Sequence, residues 1–188
     1  MNMNETLTNI ANRYSAFEFT DQVPDEETLA AITNAAITAP SARNLKPWQV
    51  ILVTNRGLID KLEAATVKAM GELPAYKKMS SVLKASKRKL LRNAPAMILL
   101  PIDKSNPYAK YDCGIVSQTI CIAAQSLGVG SRIIAICDIA FDSDAGEKLK
   151  ADFRFPKGYD FGLAVLLGYD AEAGGPQEPV PSKITRIK

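Results

Sequence analysis

Apolar positions recur along this chain with two periods, and the switches between them divide it into elements. Residues 4–13 carry Leu7, Ile10 and Ala11 at helical spacing. Tyr14, Ala16 and Glu18 then alternate with Ser15, Phe17 and Phe19, which predicts an extended segment or edge strand over 14–19. A second helix opens at Val23-Pro24-Asp25-Glu26-Glu27, where proline and carboxylates favour a helix N-terminus. Its apolar stripe is Leu29, Ile32, Ala36 and Ile37. Trp48 to Val53 is mostly apolar, as a strand buried on both faces is. Residues 58–70 read as helix through Leu58, Ile59, Leu62, Ala65 and Met70.

From Gly71 to Asn93 the pattern weakens. Val82, Leu83, Leu90 and Leu91 form a partial helical face among Lys77, Lys78, Lys84, Lys87, Arg88, Lys89 and Arg92. Such a charge run is a solvated face or a cover for an anionic ligand. Ala94 to Ile102 is a second buried strand. Tyr111 to Leu127 is the longest helical pattern and is apolar nearly all round, which places it centrally or at a subunit interface. Gln118 and Gln125 are its polar exceptions, and Gly128 stops it. Arg132 to Cys137 predicts a third strand, Asp142 to Asp152 a short helix capped by Asp142 or Ser143, and Asp160 to Gly168 a fourth strand. The tail from Tyr169, with Gly174-Gly175-Pro176, Pro179 and Pro181, cannot form a compact unit alone. Its Lys183, Arg186 and Lys188 alternate in part with Ile184 and Ile187, a pattern suited to a strand added to another subunit. Nothing repeats, so 1–188 reads as one domain with an extended tail over about 170–188.

Composition narrows the chemistry. A net charge of +3, with no basic arm, gives no reason to expect nucleic acid. No apolar run nears the ~20 residues of a membrane span, and Met1 to Ile10 lacks a signal peptide's apolar core, so the expectation is a cytoplasmic protein without a membrane partner. The three cysteines, Cys113, Cys121 and Cys137, lack paired spacing and read as small core residues. Histidine is absent. That removes histidine bases, Ser-His-Asp and Cys-His nucleophiles and histidine metal ligands, and no metal site is expected. Chemistry must then come from carboxylates, Lys, Tyr, Cys or a bound cofactor.

One stretch joins a helical pattern to a strand pattern: Ala39-Pro40-Ser41-Ala42-Arg43-Asn44-Leu45-Lys46-Pro47-Trp48. Two prolines make it rigid, and Ser41 and Asn44 offer short polar side chains. It reads either as a ligand-holding loop or as a plain turn whose first core residue is Trp48. Arg13 and Ser15, on one side of an extended segment, set a guanidinium beside a hydroxyl, a pair that can bind phosphate. No Gly-x-Gly-x-x-Gly follows a strand and no Walker lysine motif is present, so Arg13, Ser15, Lys183 and Arg186 remain as phosphate candidates.

In order, these pieces resemble the FMN-dependent nitroreductase family. Arg13-Tyr14-Ser15-Ala16-Phe17-Glu18-Phe19 is similar to its Arg-x-Ser-x-(Arg/Lys)-x-Phe opening, and Ala39 to Trp48 to its Ala-Pro-Ser-x-x-Asn-x-Gln-Pro-Trp segment. Leu127-Gly128-Val129-Gly130-Ser131 and the strand ending Leu167-Gly168-Tyr169 match two further motifs. The resemblance implies an α+β fold, a three-layer α/β/α arrangement around a central mixed, mainly antiparallel sheet. It further implies an intertwined homodimer with exchanged C-terminal tails. It implies FMN held by Arg13, Tyr14, Ser15 and Phe17, by Pro40, Ser41, Ala42 and Asn44, by Gly128 and Gly130, and by Lys183 or Arg186 from the tail. No side chain is then catalytic. Hydride passes from NAD(P)H to flavin N5 and on to a small-molecule acceptor such as a nitroaromatic or quinone, in ping-pong order.

Two positions depart from the family pattern. Phe17 replaces a cation that lies near the N1–O2 edge of the flavin, and Lys46 replaces a glutamine. Lys46 is a candidate for tuning the flavin in place of the lost cation. The departures keep two other readings open: a non-catalytic flavin- or ligand-binding homodimer, and a specialised flavoenzyme acting on one metabolite.

Overall fold

A computed structural model describes residues 4–86, 88–172 and 174–187; Lys87 and Lys188 of the basic stretches lie outside the described residues. In chain order the elements are α1 (Glu5–Asn12), β1 (Glu18–Phe19), α2 (Glu26–Thr38), β2 (Ile51–Val53), α3 (Arg56–Glu72), α4 (Lys77–Ala85) and β3 (Ala96–Asp103). They continue with α5 (Ala109–Ser126), β4 (Gly130–Ile134), α6 (Asp138–Phe141), α7 (Gly146–Asp152), β5 (Tyr159–Gly168) and β6 (Asp170–Glu172).

The central sheet runs β2-β3-β5-β4, and all three pairings are antiparallel, the mainly antiparallel sheet expected. Alternate residues of β3 and β5 feed opposite cores. Ile98, Leu100, Val165 and Leu167 pack with Leu29, Ile32 and Ala36 of α2 and Val116 and Ile120 of α5. Met97, Leu99, Ala164 and Leu166 pack with Ile59 and Leu62 of α3, Phe141 of α6 and Leu149 of α7. The result is helices, sheet, helices, with β3 and the second half of β5, Ala164 to Gly168, buried on both faces as their apolar runs demand. Phe141 stacks on Phe155 and Phe161, each at a centroid distance of 5.0 Å.

Local signals set most boundaries. Asn4, Asp25 and Asn55 cap α1, α2 and α3 by accepting the N–H of Leu7, Thr28 and Leu58. The two N–H bonds at the end of α5, Gly128 to Gln125 (3.2 Å) and Val129 to Ala124 (2.9 Å), form a Schellman ending around left-handed Gly128.

Several expectations are corrected. The strand expected over 48–53 is shorter; Trp48 makes only an isolated bridge to Ile102, and β2 lies at the sheet edge with Leu52 exposed. Ile37 points outward from α2. Arg132 to Cys137 is not one strand: β4 starts earlier, at Gly130, and Cys137 precedes α6. An unbroken apolar run cannot be divided into strand and helix by periodicity. The helix expected from Asp142 begins at Gly146, and neither Asp142 nor Ser143 caps it. Ser143 Oγ donates instead to Ala140 O at 2.7 Å. Gly146 sits so close to the Phe141 carbonyl that any Cβ would overlap it, which fixes the tight corner between α6 and α7. Buried Glu63 holds the 90–91 turn against α3 by accepting the N–H groups of Leu90 (3.1 Å) and Leu91 (3.3 Å), a contact no local pattern announces. Among the described residues, no helix is long and apolar enough to cross a membrane.

Candidate functional site

The residues singled out in the sequence gather into two groups. The first lies where α5 ends and β4 begins. Arg13 is the C-cap of α1, and its chain leads into Tyr14 and Ser15 before Ala16 N–H bonds Ser131 O at 3.0 Å. The Arg132 guanidinium donates to Ala16 O at 2.9 Å and pins the same segment from β4. The Tyr14 hydroxyl donates to the Asp170 carboxylate, whose other oxygen faces Gly130 and is buried without a partner. A Cβ at Gly130 would overlap that oxygen, so any larger residue there would push the Asp170 carboxylate aside. Arg13 is half-buried and forms no ion pair among the described residues, and the Ser15 hydroxyl is exposed. A free guanidinium beside a free hydroxyl suits a phosphate. Burial pushes the Cys121 thiol up, against the opposing pulls of the Ser131 hydroxyl and the Arg13 guanidinium, which sets all three groups in one neighbourhood.

The hydrogen bond to Asp170, with burial and the carboxylate's charge, pushes the Tyr14 hydroxyl up to about 12. A proton held more tightly in the folded state stabilises fully below the ordinary value of 10.0 and less as pH climbs from there to about 12. Tyr14→Phe is therefore expected to lose about 1 kcal/mol at neutral pH. It should also flatten the fall in stability between pH 10 and 12 relative to wild type, read from urea midpoints.

The second group lies at the other end of α5. The loop after α2 carries Pro40, Ser41, Ala42, Asn44 and Lys46. Arg43 (φ 55°), Asn44 (φ 56°) and Lys46 (φ 46°) are all left-handed without being glycine. Such residues cost of order 1 kcal/mol each and persist only where neighbours over-determine them. Ser41 O accepts Asn44 N–H (3.0 Å), and Ser41 Oγ accepts Lys46 N–H (2.9 Å). Lys46 Nζ donates to Ile37 O at 3.1 Å, on the last turn of α2. Asp112, in the first turn of α5, accepts Ala42 N–H at 3.0 Å. Prolines at both ends and the Asp103 N–H bond to Pro47 O (3.0 Å) tie the loop to the sheet.

Within one chain the two groups do not meet. From Asp112 to Ser126 the axis of α5 spans about 21 Å, and the sheet separates them likewise: Asp103, tied to Pro47, lies at the Tyr159 end of β5 and Gly130 at the Gly168 end. The remaining candidates are exposed. Phe17 points outward, 51% accessible, and Lys183 and Arg186 lie in the tail without an ion pair among the described residues. The backbone bonds of residues 176–187 are local, Lys183 N–H to Val180 O and Ile184 N–H to Pro181 O, both 3.0 Å. Along α5 and α1 an apolar stripe stays open: Tyr108, Tyr111 (74% accessible), Ile115, Leu7 and Ile10.

Three residues that shape these groups escaped the sequence reading. Arg132 and Asp170 read as strand and tail residues. Asp112 sits inside a helix whose polar exceptions were expected to be Gln118 and Gln125; a lone carboxylate among apolar neighbours was the available signal.

Comparison with known proteins shows what the chain as a whole is similar to. A family model described as "Nitroreductase family" matches residues 10–169. A protein of Methanothermobacter thermautotrophicus named "Putative NADH dehydrogenase/NAD(P)H nitroreductase" is 28% identical over 178 residues, 93% of this chain and 82% of that protein. The crystal structure of a nitroreductase with bound FMN from Desulfitobacterium hafniense DCB-2 superposes with a TM-score of 0.93 at 38% identity, covering 100% of both chains. A nitroreductase with bound FMN from Bacteroides fragilis NCTC 9343, 23% identical, shares the fold at a TM-score of 0.89, covering 99% of this chain and 100% of that one.

Proposed function

The chain belongs to the nitroreductase family, and from that premise we propose that it is an FMN-dependent, NAD(P)H-oxidising oxidoreductase whose two flavin sites form between the chains of a homodimer. The observation that carries this reading is the separation of complementary halves. A phosphate cradle at Arg13 and Ser15 and a rigid polar loop at Pro40–Asn44 lie at opposite ends of α5. Two chains packed antiparallel along the open stripe of Tyr108, Tyr111 and Ile115 would bring each half to the other chain's complement and bury apolar surface that one chain leaves in water. The outward tail, with its own backbone bonds local, is free to cross to the partner and bring Lys183 or Arg186 to the phosphate.

The residues present fit FMN. Arg13 and Ser15 would take the phosphate, and the bare, exposed backbone at Gly128 would allow close approach of a flat ring system, while Gly130 gives room to the Asp170 carboxylate. Pro40, Ser41, Ala42 and Asn44 would line it from the partner, with the Tyr14 hydroxyl bond to Asp170 steadying the segment that carries Arg13 and Ser15. When bound, FMN supplies the group that accepts hydride from NAD(P)H and hands electrons to a small oxidised acceptor such as a nitroaromatic or quinone. Phe17 offers no positive charge to the flavin edge, and Lys46 can do so only by leaving the Ile37 carbonyl. That favours a shifted redox potential and, as the second reading, a flavin carrier that does not turn over.

The test is the visible spectrum of the purified protein under anaerobic conditions. A yellow dimer bleached by NADH or NADPH and recoloured by a quinone is expected. A colourless protein that takes up no added FMN removes the proposal, and a yellow one that neither nucleotide bleaches selects the carrier.

A further inference from the structure

We infer that Asp112 is a positioning residue that holds the 41–46 loop in its flavin-lining shape, an inference that rests on the functional reading above. Asp112 is buried, and its two oxygens are treated differently: Oδ1 accepts the Ala42 N–H at 3.0 Å, and Oδ2 is buried with no partner. A carboxylate in that state is costly, and an apolar side chain would suit its neighbours Ala109, Cys113 and Val116 better. Its one side-chain hydrogen bond, to Ala42, is one that an apolar residue cannot make. That bond is the loop's link to α5, and the residues after it, Arg43, Asn44 and Lys46, have left-handed backbones that need outside constraint. The fastenings through Ser41 and Lys46 join the loop to itself and to the end of α2, and Pro47 ties its far end to the sheet. Asp112 thus sets where the loop stands against the long helix, and so where Ser41 and Asn44 would meet a flavin bound across the dimer.

A purely structural role is available, because a negative charge in the first turn of α5 also favours that helix. Three variants separate the two. Asp112→Leu removes the acceptor, and Asp112→Asn keeps an acceptor without the charge. Ala42→Pro removes the donor and leaves Asp112 alone. Proline suits this first position of a 3-10 turn, since Ser41 before it is already extended (φ −147°, ψ 159°).

The dissociation constant for FMN, by flavin fluorescence, is expected to rise at least ten-fold in Asp112→Leu and in Ala42→Pro and to stay within about three-fold in Asp112→Asn. The Asp112→Leu, Ala42→Pro double variant should be no worse than the poorer single one, since both break one bond. A wild-type constant in Asp112→Leu, an equal loss in Asp112→Asn, or losses that add in the double variant overturns the inference. If Asp112→Leu does not fold, Ala42→Pro carries the same test. Amide exchange at Ala42 keeps the two readings distinguishable. Wild-type protein that binds no FMN overturns the functional reading. Unchanged Ala42 exchange in Asp112→Leu overturns the anchor itself.

Discussion

Replacing Arg13 with alanine is expected to weaken FMN binding about ten- to hundred-fold, because a charge-assisted bond to phosphate contributes about 1.5–3 kcal/mol. Arg13 has no carboxylate partner among the described residues, and its own N–H closes α1 on Asn9 O at 3.0 Å through the backbone. The substitution should therefore leave fold and dimer mass unchanged. Arg13→Lys should fall between, since an ammonium keeps the charge and loses the two-pronged geometry. Riboflavin, which lacks the phosphate, provides the internal control: its binding should be the same in wild type and Arg13→Ala. Fluorescence titration with both ligands reads this directly. Equal FMN affinities would take Arg13 out of the site.

The second large effect is on stability. Leu166 is fully buried on β5, paired with Met97 on one side and Arg132 on the other, and packs into the core beneath α3 and α6. Leu166→Ala is expected to cost about 2–5 kcal/mol, lost transfer energy plus the cavity left between strands too constrained to close on it. Val82→Ala, on the exposed side of α4, should cost below about 0.5 kcal/mol. Urea midpoints at one fixed protein concentration compare the two; a loss under 1 kcal/mol at Leu166 would mean that the core collapses far more freely than a sheet buried on both faces should.

Local chemistry made much of this molecule readable in its sequence. The unbroken apolar runs of β3 and β5, the acidic opening of α2 and the glycine that ends α5 are each decided by residues within a few positions of one another. What escaped depends on contacts between distant segments. Arg132 to Cys137 reads as one strand because nothing nearby shows that the chain turns into a helix after Ile134, and the corner at Gly146 is set by the Phe141 carbonyl. Glu63, Asp112 and Asp170 look like ordinary surface acids until the turn, loop or hydroxyl each one holds arrives from elsewhere in the chain. The same limit applied to the site. Motif order named Arg13, Ser15, Ser41 and Asn44 together; only the length of α5 reveals that one chain keeps them apart.

That distance has a consequence for inheritance. In the proposed dimer each flavin lies between the Arg13 end of one chain and the Asn44 end of the other. A chain damaged at both ends would then spoil both sites of any dimer it joins, and would act as a dominant defect. Two chains damaged at different ends would pair to give one ruined site and one intact site. Two inactive alleles could thus restore activity in the same cell, with half the sites of each mixed dimer at work.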